Sequence, residues 1–107
     1  FFMQIIMPME KKKWQKMLGI AKKWTQADED SADAWYYLGY AQEKLGNLDF
    51  AKLFLNQAYK LNNRHLESLV ELYDISVIQI DPKESKRILG LIEEINPERA
   101  DYISKNS

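Results

Sequence analysis

The chain has 107 residues and no cysteine, and 46% of its residues are hydrophobic and 29% are charged. This composition fits one ordered domain with a modest core, and it excludes a disulfide framework, a thiolate nucleophile and a disordered tail. The net charge of −1 conceals an asymmetry, because residues 1–23 contain six lysines and one acid, whereas the rest contains nine basic and fifteen acidic residues. An acidic body lacks the basic surface that binds phosphates, so we expect no nucleic-acid partner.

The first nine residues, FFMQIIMPM, form an apolar N-terminal segment (1–9) ahead of a lysine-rich stretch. They are too few to span a membrane or to act as a signal peptide, so we expect no membrane insertion. We interpret them as a segment that packs over the next helix, such as the shortened first helix of an early repeat. The alternatives are a remnant of a membrane anchor and a strand that pairs with another chain.

Residues 10–26 predict a helix, because apolar side chains recur there at intervals of three and four. We expect the following residues to be core: Trp14, Met17, Leu18, Ala21 and Trp24. The lysines spread over the other faces, which leaves a membrane-surface role as the alternative. The acidic run DEDSAD (28–33) lacks the ligand spacing and the glycine of a calcium loop, so we interpret it as a solvated turn and expect no metal site.

The sequence repeats with a period of 34 residues. A shift of 34 aligns Trp35 with Leu69, Leu38 with Leu72, Gly46 with Ile80, Asn47 with Asp81, Leu55 with Leu89 and Ala58 with Ile92. Repetition at a fixed period of this length is typical of helical repeat arrays. The first copy predicts helices over 33–45 and 48–61, and the second copy predicts a similar pair. Residues 10–26 match the second helix of an earlier copy.

The stretch AWYYLGYAQEKLGN (34–47) predicts a helix with apolar or aromatic side chains on two opposite faces. At 100° per residue, Trp35, Leu38 and Leu45 lie on one side, and Tyr36, Tyr37 and Tyr40 lie nearly opposite. Such a helix requires two packing partners, one of which is the protein's own core. Gly46 and Asn47 predict the turn that follows, with Asn47 as the N-cap of the next helix.

The second copy contains strong helix signals. Asp81, Pro82 and Glu84 predict an N-cap, a proline at the first helical position and a capping-box acid for a helix that ends near Ile95. The β-branched segment SVIQI (76–80) is compatible with a strand, but the repeat register favours the end of a helix. A short helix from residue 97 to about 104 follows.

These residues and their spacing resemble the tetratricopeptide repeat family. The resemblance rests on Trp35, Leu38, Gly39, Gly46, Ala51 and Ala58 within the 34-residue period. It implies an all-α antiparallel helix-pair solenoid of about five helices, with a partial repeat (10–31), a repeat (32–65), a degenerate repeat (66–99) and the end of a capping helix (100–107). The second copy departs from the pattern, because Tyr73 replaces Gly39 and Ser85 replaces Ala51.

In the family that the sequence resembles, the first helix of each pair lines a concave groove that binds peptide segments. Carried over by register, the resemblance implies a peptide-binding groove of Asp33, Tyr36, Tyr37, Tyr40, Glu43 and Lys44 in one copy and Glu67, Val70, Glu71, Asp74, Val77 and Ile78 in the next. The tyrosines then form the groove wall; the alternative is that Tyr36 and Tyr37 pack on neighbouring helices. The acids favour a protein or peptide partner that combines apolar residues with Lys or Arg.

No catalytic set is apparent in the sequence. His65 is the only histidine, and no serine or aspartate is tied to it by sequence, so we interpret it as a surface or capping residue. We expect no enzymatic activity and no cofactor, and we interpret the chain as an adaptor or scaffold. The alternative is an accessory repeat segment of a larger enzyme or RNA-handling protein. Two repeats are near the minimum for an array, so we expect a homo-oligomer or a longer array.

Overall fold

The computed structural model describes the backbone of residues 2–106 and the side chains of residues 10–106. This part of the chain forms six helices and no strand. They are α1 (Phe2–Ala27), α2 (Ala32–Lys44), α3 (Leu48–Leu61), α4 (Leu66–Ile78), α5 (Pro82–Ile95) and α6 (Pro97–Lys105). Each helix packs against the next one along the chain, and α2 also contacts α4. The architecture is an all-α helix-pair solenoid, as predicted, and the described part has six helices where about five were expected. The short helix predicted over residues 97–104 is α6.

Helix α1 is longer than the sequence predicted. It begins at Phe2, so no turn separates the apolar segment 1–9 from residues 10–26. The backbone therefore continues as one helix and does not fold back. The packing of the side chains of residues 1–9 lies outside the described residues. No helix in the described part of the chain is both long and apolar enough to cross a membrane.

Side-chain caps fix the start of four helices. Ser31, His65, Asp81 and Asn96 each accept a hydrogen bond from the backbone N–H three residues later. Each cap satisfies an N–H group that has no partner within its own helix. The positions of the turns between helices are therefore determined largely by local sequence.

One capping prediction is confirmed in position only, and another is wrong. Asn47 precedes α3, but its side chain makes no cap there, and its Nδ2 instead donates to Gln42 Oε1 (2.8 Å). Glu84 does not close a capping box on Asp81, because its carboxylate pairs with Arg87 one turn further along α5. The prediction that Asp81 is an N-cap is confirmed.

The core follows the contacts between consecutive helices. Leu55, Leu69, Ile75 and Ile92 are completely buried. The close approach of α2 and α3 depends on Gly39, because a Cβ at this position would lie 2.8 Å from Leu55 Cγ. Only a residue without a side chain permits this contact. The small residue of the repeat pattern is thus explained by helix packing.

The second helix pair, α4 and α5, is joined by a hydrogen bond between two serine side chains. The segment 76–80 is helical as far as Ile78, as the repeat register predicted. Buried Ser76 on α4 contacts Ser85 on α5 through their Oγ atoms (2.6 Å). This hydrogen bond joins α4 and α5 at the position where the first pair has the small residue Ala51.

The predicted core of α1 is only partly buried. Ala21 is buried, whereas Trp14, Met17 and Leu18 are half-buried. Trp24 is exposed, and its ring stacks on that of Tyr37 with 5.9 Å between centroids. The reason is that, within the described residues, α1 packs against α2 alone, whereas α3 packs against both α2 and α4.

Ile80 is strained, and we expect its replacement to stabilise the fold. It is the only non-glycine residue of the described backbone with a positive φ (53°), and its side chain is 85% exposed. The equivalent residue of the preceding repeat is Gly46 (φ 85°). Because this conformation costs an L-residue about 1–2 kcal/mol and glycine entropy recovers only part of that, Ile80→Gly should raise the free energy of unfolding by about 0.5–1 kcal/mol.

The matched change is Gly46→Ala, which should lower the free energy of unfolding by about 1 kcal/mol. Urea denaturation measures both variants. Destabilisation by Ile80→Gly would contradict the account, because it would show that the isoleucine side chain contributes packing that exceeds its backbone strain.

Candidate functional site

Helices α2 and α4 lie side by side, and α2 carries a cluster of aromatic rings. The Tyr36 ring lies 5.0 Å from that of Tyr37, edge to face, and 5.9 Å from that of Tyr40, stacked. Two rings from α1 extend this surface, since Trp24 stacks on Tyr37 and Trp14 meets Tyr40 at 5.7 Å. These five residues, the aromatic cluster, form a chain of ring contacts from α1 to α2.

The tyrosines have structural contacts as well. Tyr36 packs against the core, and its ring lies 5.3 Å from that of His65. Burial raises the pKa of Tyr36, and the negative charge of Glu71 raises it further, so the hydroxyl stays protonated. Packing on neighbouring helices therefore accounts for part of the surface of Tyr36 and, through Trp24, of Tyr37.

Three carboxyl groups meet where α2 faces α4: those of Glu43, Glu71 and Asp74. We call them the carboxyl cluster. Burial raises the pKa of Glu43 to about 8, and a hydrogen bond between Glu43 and Glu71 contributes when one of them is protonated. Burial and the charge of Glu71 also raise the pKa of Asp74.

One atom of the carboxyl cluster lacks a hydrogen-bond donor. When Glu43 and Glu71 are both ionised, Oε1 of Glu43 is buried and has no hydrogen-bond partner. A buried carboxylate oxygen without a hydrogen-bond donor is unfavourable. Protonation of the carboxyl or the approach of a cationic group can offset this cost. A proton or a cationic group next to the carboxyl cluster is therefore favourable.

Two cationic side chains lie at the edge of the carboxyl cluster. Lys44 lowers the pKa of both Glu43 and Asp74, and Arg99 of α6 lowers that of Asp74. Lys44 also lies over the Tyr40 ring, with Nζ 5.1 Å from its centroid. Sequence reasoning missed Arg99, because nothing in the local sequence indicates that its charge acts on Asp74 of α4.

The remaining predicted groove residues have different surroundings. Glu67 is exposed, and its charge contributes to the raised pKa of Tyr36. Val70 is half-buried against the core, and Val77 and Ile78 are exposed at the end of α4. The structure therefore brings Tyr36 of α2 close to Glu67 and Glu71 of α4, and it brings Glu43 of α2 close to Glu71 and Asp74.

Asp33 belongs to a separate chain of hydrogen bonds. His65 Nε2 lies 2.8 Å from Asp33 Oδ1, and His65 Nδ1 lies 2.8 Å from Ser68 Oγ and accepts the Ser68 backbone N–H at 3.3 Å. The order of groups is that of a catalytic triad, but Ser68 is completely buried and cannot contact a substrate. The chain instead caps α4 and joins it to α2.

The capping role of His65 is confirmed, but its contact with Asp33 was missed. The local signal is the spacing of three residues between His65 and Ser68, which is typical of an N-cap and the N–H group that it binds. Asp33 lies one repeat earlier, so only the packing of α2 against α4 brings it to the histidine.

The arrangement on α2 and α4 does not correspond to a metal site. Among the described residues, no group of three or more His, Cys, Asp or Glu side chains could hold a metal ion. No protein-family model and no curated protein matches the sequence. The side-chain geometry therefore supplies the evidence from which a function is inferred.

The raised pKa of Glu43 leads to an expected dependence of stability on pH. The folded state holds this proton up to about pH 8, whereas the unfolded state releases it near pH 4.5. The contribution of Glu43 to stability is therefore fully present below about pH 4.5 and is lost as the pH rises towards 8. Glu43→Gln keeps the group neutral, so the variant should be more stable than wild type at pH 9 and similar to it at pH 4.

Thermal denaturation at the two pH values measures this difference. Glu94→Gln provides a control, because Glu94 is exposed and lies on α5. An equal effect of Glu43→Gln at pH 4 and pH 9 would contradict the proposed burial of the Glu43 carboxylate.

Proposed function

We propose that the chain is a non-enzymatic interaction module that binds a peptide segment across α2 and α4, in the manner of tetratricopeptide repeats. The partner segment carries an Arg or Lys next to apolar side chains. The observation that carries the proposal is the meeting of the half-buried Glu43 with the carboxyls of Glu71 and Asp74, in which Oε1 of Glu43 has no hydrogen-bond partner.

The chemistry of the carboxyl cluster favours an arginine. A guanidinium group presents several N–H donors in a plane and can bind two carboxylates at once. Glu43 and Glu71 come from different helices and are both half-buried, so one guanidinium at their accessible edge would contact both carboxyls and reduce the repulsion between them. The existing cations, Lys44 and Arg99, leave Oε1 of Glu43 without a donor.

The aromatic cluster complements this charge recognition. Tyr40 presents ring surface beside the carboxyl cluster, because Lys44 lies over its ring and also acts on Glu43 and Asp74. Aromatic rings supply apolar contact area at low entropic cost and are frequent in binding surfaces. An apolar side chain next to the arginine would contact these rings, which gives the partner segment its mixed character.

A titration with synthetic peptides tests the proposal. The probes are short peptides of leucine, alanine and glutamine with a central arginine, and the same peptides with citrulline in its place. Citrulline keeps the shape of arginine and removes its charge, so we expect the arginine peptide to bind at least tenfold more tightly. Equal binding of the two peptides would refute the role of the carboxyl cluster.

A further inference from the structure

Helix α1 lacks the partner helix that its place in the repeat requires. In the 34-residue register α1 corresponds to α3, and α2 corresponds to α4. Helix α3 packs on α2 before it and on α4 after it, whereas α1 packs only on α2 among the described helices. The contact that α1 lacks corresponds to the packing of α3 on α2, which are the two helices of one repeat.

The face of α1 that would make this contact is open. Its residues Met17, Ala21 and Trp24 correspond to Ala51, Leu55 and Ala58 of α3, all three of which are completely buried. On α1, Ala21 is buried as well, but Trp24 is 39% exposed and Met17 is half-buried. The positions that form the interior of a helix pair in α3 are therefore partly uncovered in α1.

The residue of α3 that is equivalent to Ile20 makes an aromatic contact with α2. Ile20 corresponds to Phe54, whose ring lies 5.9 Å from that of Trp35 on α2. Ile20, in contrast, is 60% exposed. An apolar side chain at the position equivalent to Trp35, on another helix, would cover it.

The open face contains a cavity of about 330 Å³. Its walls are Met17, Ile20, Ala21, Trp24 and Tyr37, with Lys13 and Lys16 at one end. The walls are almost entirely apolar, and the only charges are positive. A helix that fills the cavity is therefore complementary if it combines an apolar stripe with acidic residues beside the stripe.

We propose that an amphipathic helix from a partner protein, apolar on one face and flanked by Asp or Glu, packs against α1 and completes its helix pair. The helix takes the place relative to α1 that α2 takes relative to α3. This surface is separate from the carboxyl cluster and has the opposite charge, so the chain binds two different partner segments.

Model helical peptides test this proposal. The first probe has leucines at intervals of three and four with glutamates beside them, and the second has lysines in place of the glutamates. Wild type should bind the glutamate peptide at least tenfold more tightly than the lysine peptide. Ile20→Glu should weaken binding of the glutamate peptide at least tenfold, because it places a negative charge on the apolar wall.

Two further variants make the result specific. Leu53→Glu is the matched control, because Leu53 is 62% exposed on α3 and lies outside the cavity; it should bind like wild type. Lys13→Glu combined with Lys16→Glu should reverse the preference, so that the lysine peptide binds more tightly. Circular dichroism shows whether each variant keeps its helices.

Three results would overturn the proposal. The first is unchanged binding of the glutamate peptide by Ile20→Glu, or equal loss in Leu53→Glu. The second is self-association of wild type that Ile20→Glu abolishes, which would make a second copy the occupant. The third is binding of anionic vesicles through Ile20 without any binding of the glutamate peptide.

Discussion

Replacement of Leu55 by alanine is expected to lower the free energy of unfolding by about 2–5 kcal/mol. Leu55 is completely buried, and it fills the space beside Gly39 where α2 and α3 approach most closely. Truncation leaves a cavity that the packed backbone of α2 cannot close. Because a domain of this size has a total stability of about 5–15 kcal/mol, the variant should be close to unfolding under mild conditions.

The same substitution at Leu53 is the control. Leu53 lies on the same helix but is 62% exposed, so Leu53→Ala should change the free energy of unfolding by less than about 0.5 kcal/mol. Urea denaturation followed by circular dichroism measures both variants. Similar losses at the two positions would contradict the description of α3 as a helix with one buried and one exposed face.

The second large effect is expected in binding. Changing Glu43 and Glu71 together to glutamine should weaken binding of the arginine peptide by about 2–4 kcal/mol, or roughly 30- to 1000-fold. Glutamine keeps the size of the side chains and removes both negative charges. The variant should be at least as stable as wild type at neutral pH, because Glu43 must take up a proton when the chain folds and glutamine need not.

A charge-matched control separates the carboxyl cluster from the general acidity of the chain. Glu93→Gln with Glu94→Gln removes the same two charges from exposed positions of α5. This variant should bind the arginine peptide within about twofold of wild type, because exposed charges at a distance are screened by salt. Comparable weakening by both double variants would show that net charge, and not the carboxyl cluster, governs binding.

The helices and their register could be predicted because their signals are local. Asp81 before Pro82 marks the start of α5 whatever its surroundings, and the turn at Gly46 follows from a residue that tolerates positive φ. The β-branched segment 76–80 shows the value of the repeat, since its composition favours a strand and its register correctly favours a helix.

The environment of individual side chains could not be predicted in the same way. The sequence placed Glu43 on the face of α2 that also carries the tyrosines, but its burial depends on α4, which brings Glu71 and Asp74 against it. The exposure of Trp24 has a similar origin, because it depends on how many helices surround α1. The burial of a side chain that depends on contacts between helices distant in the sequence can be seen only in the structure.

The most direct test of the proposed function is the affinity of wild type for the arginine peptide between pH 6 and pH 9. At pH 6 the peptide must displace the proton of Glu43, whose pKa is raised to about 8, whereas at pH 9 the carboxylate is already ionised. Affinity should therefore increase by up to about tenfold per pH unit below pH 8 and level off above it, while Glu43→Gln should show no such increase. An affinity that does not change with pH in wild type, or that rises equally in Glu43→Gln, would contradict the assignment of the carboxyl cluster as the site that binds the cationic side chain.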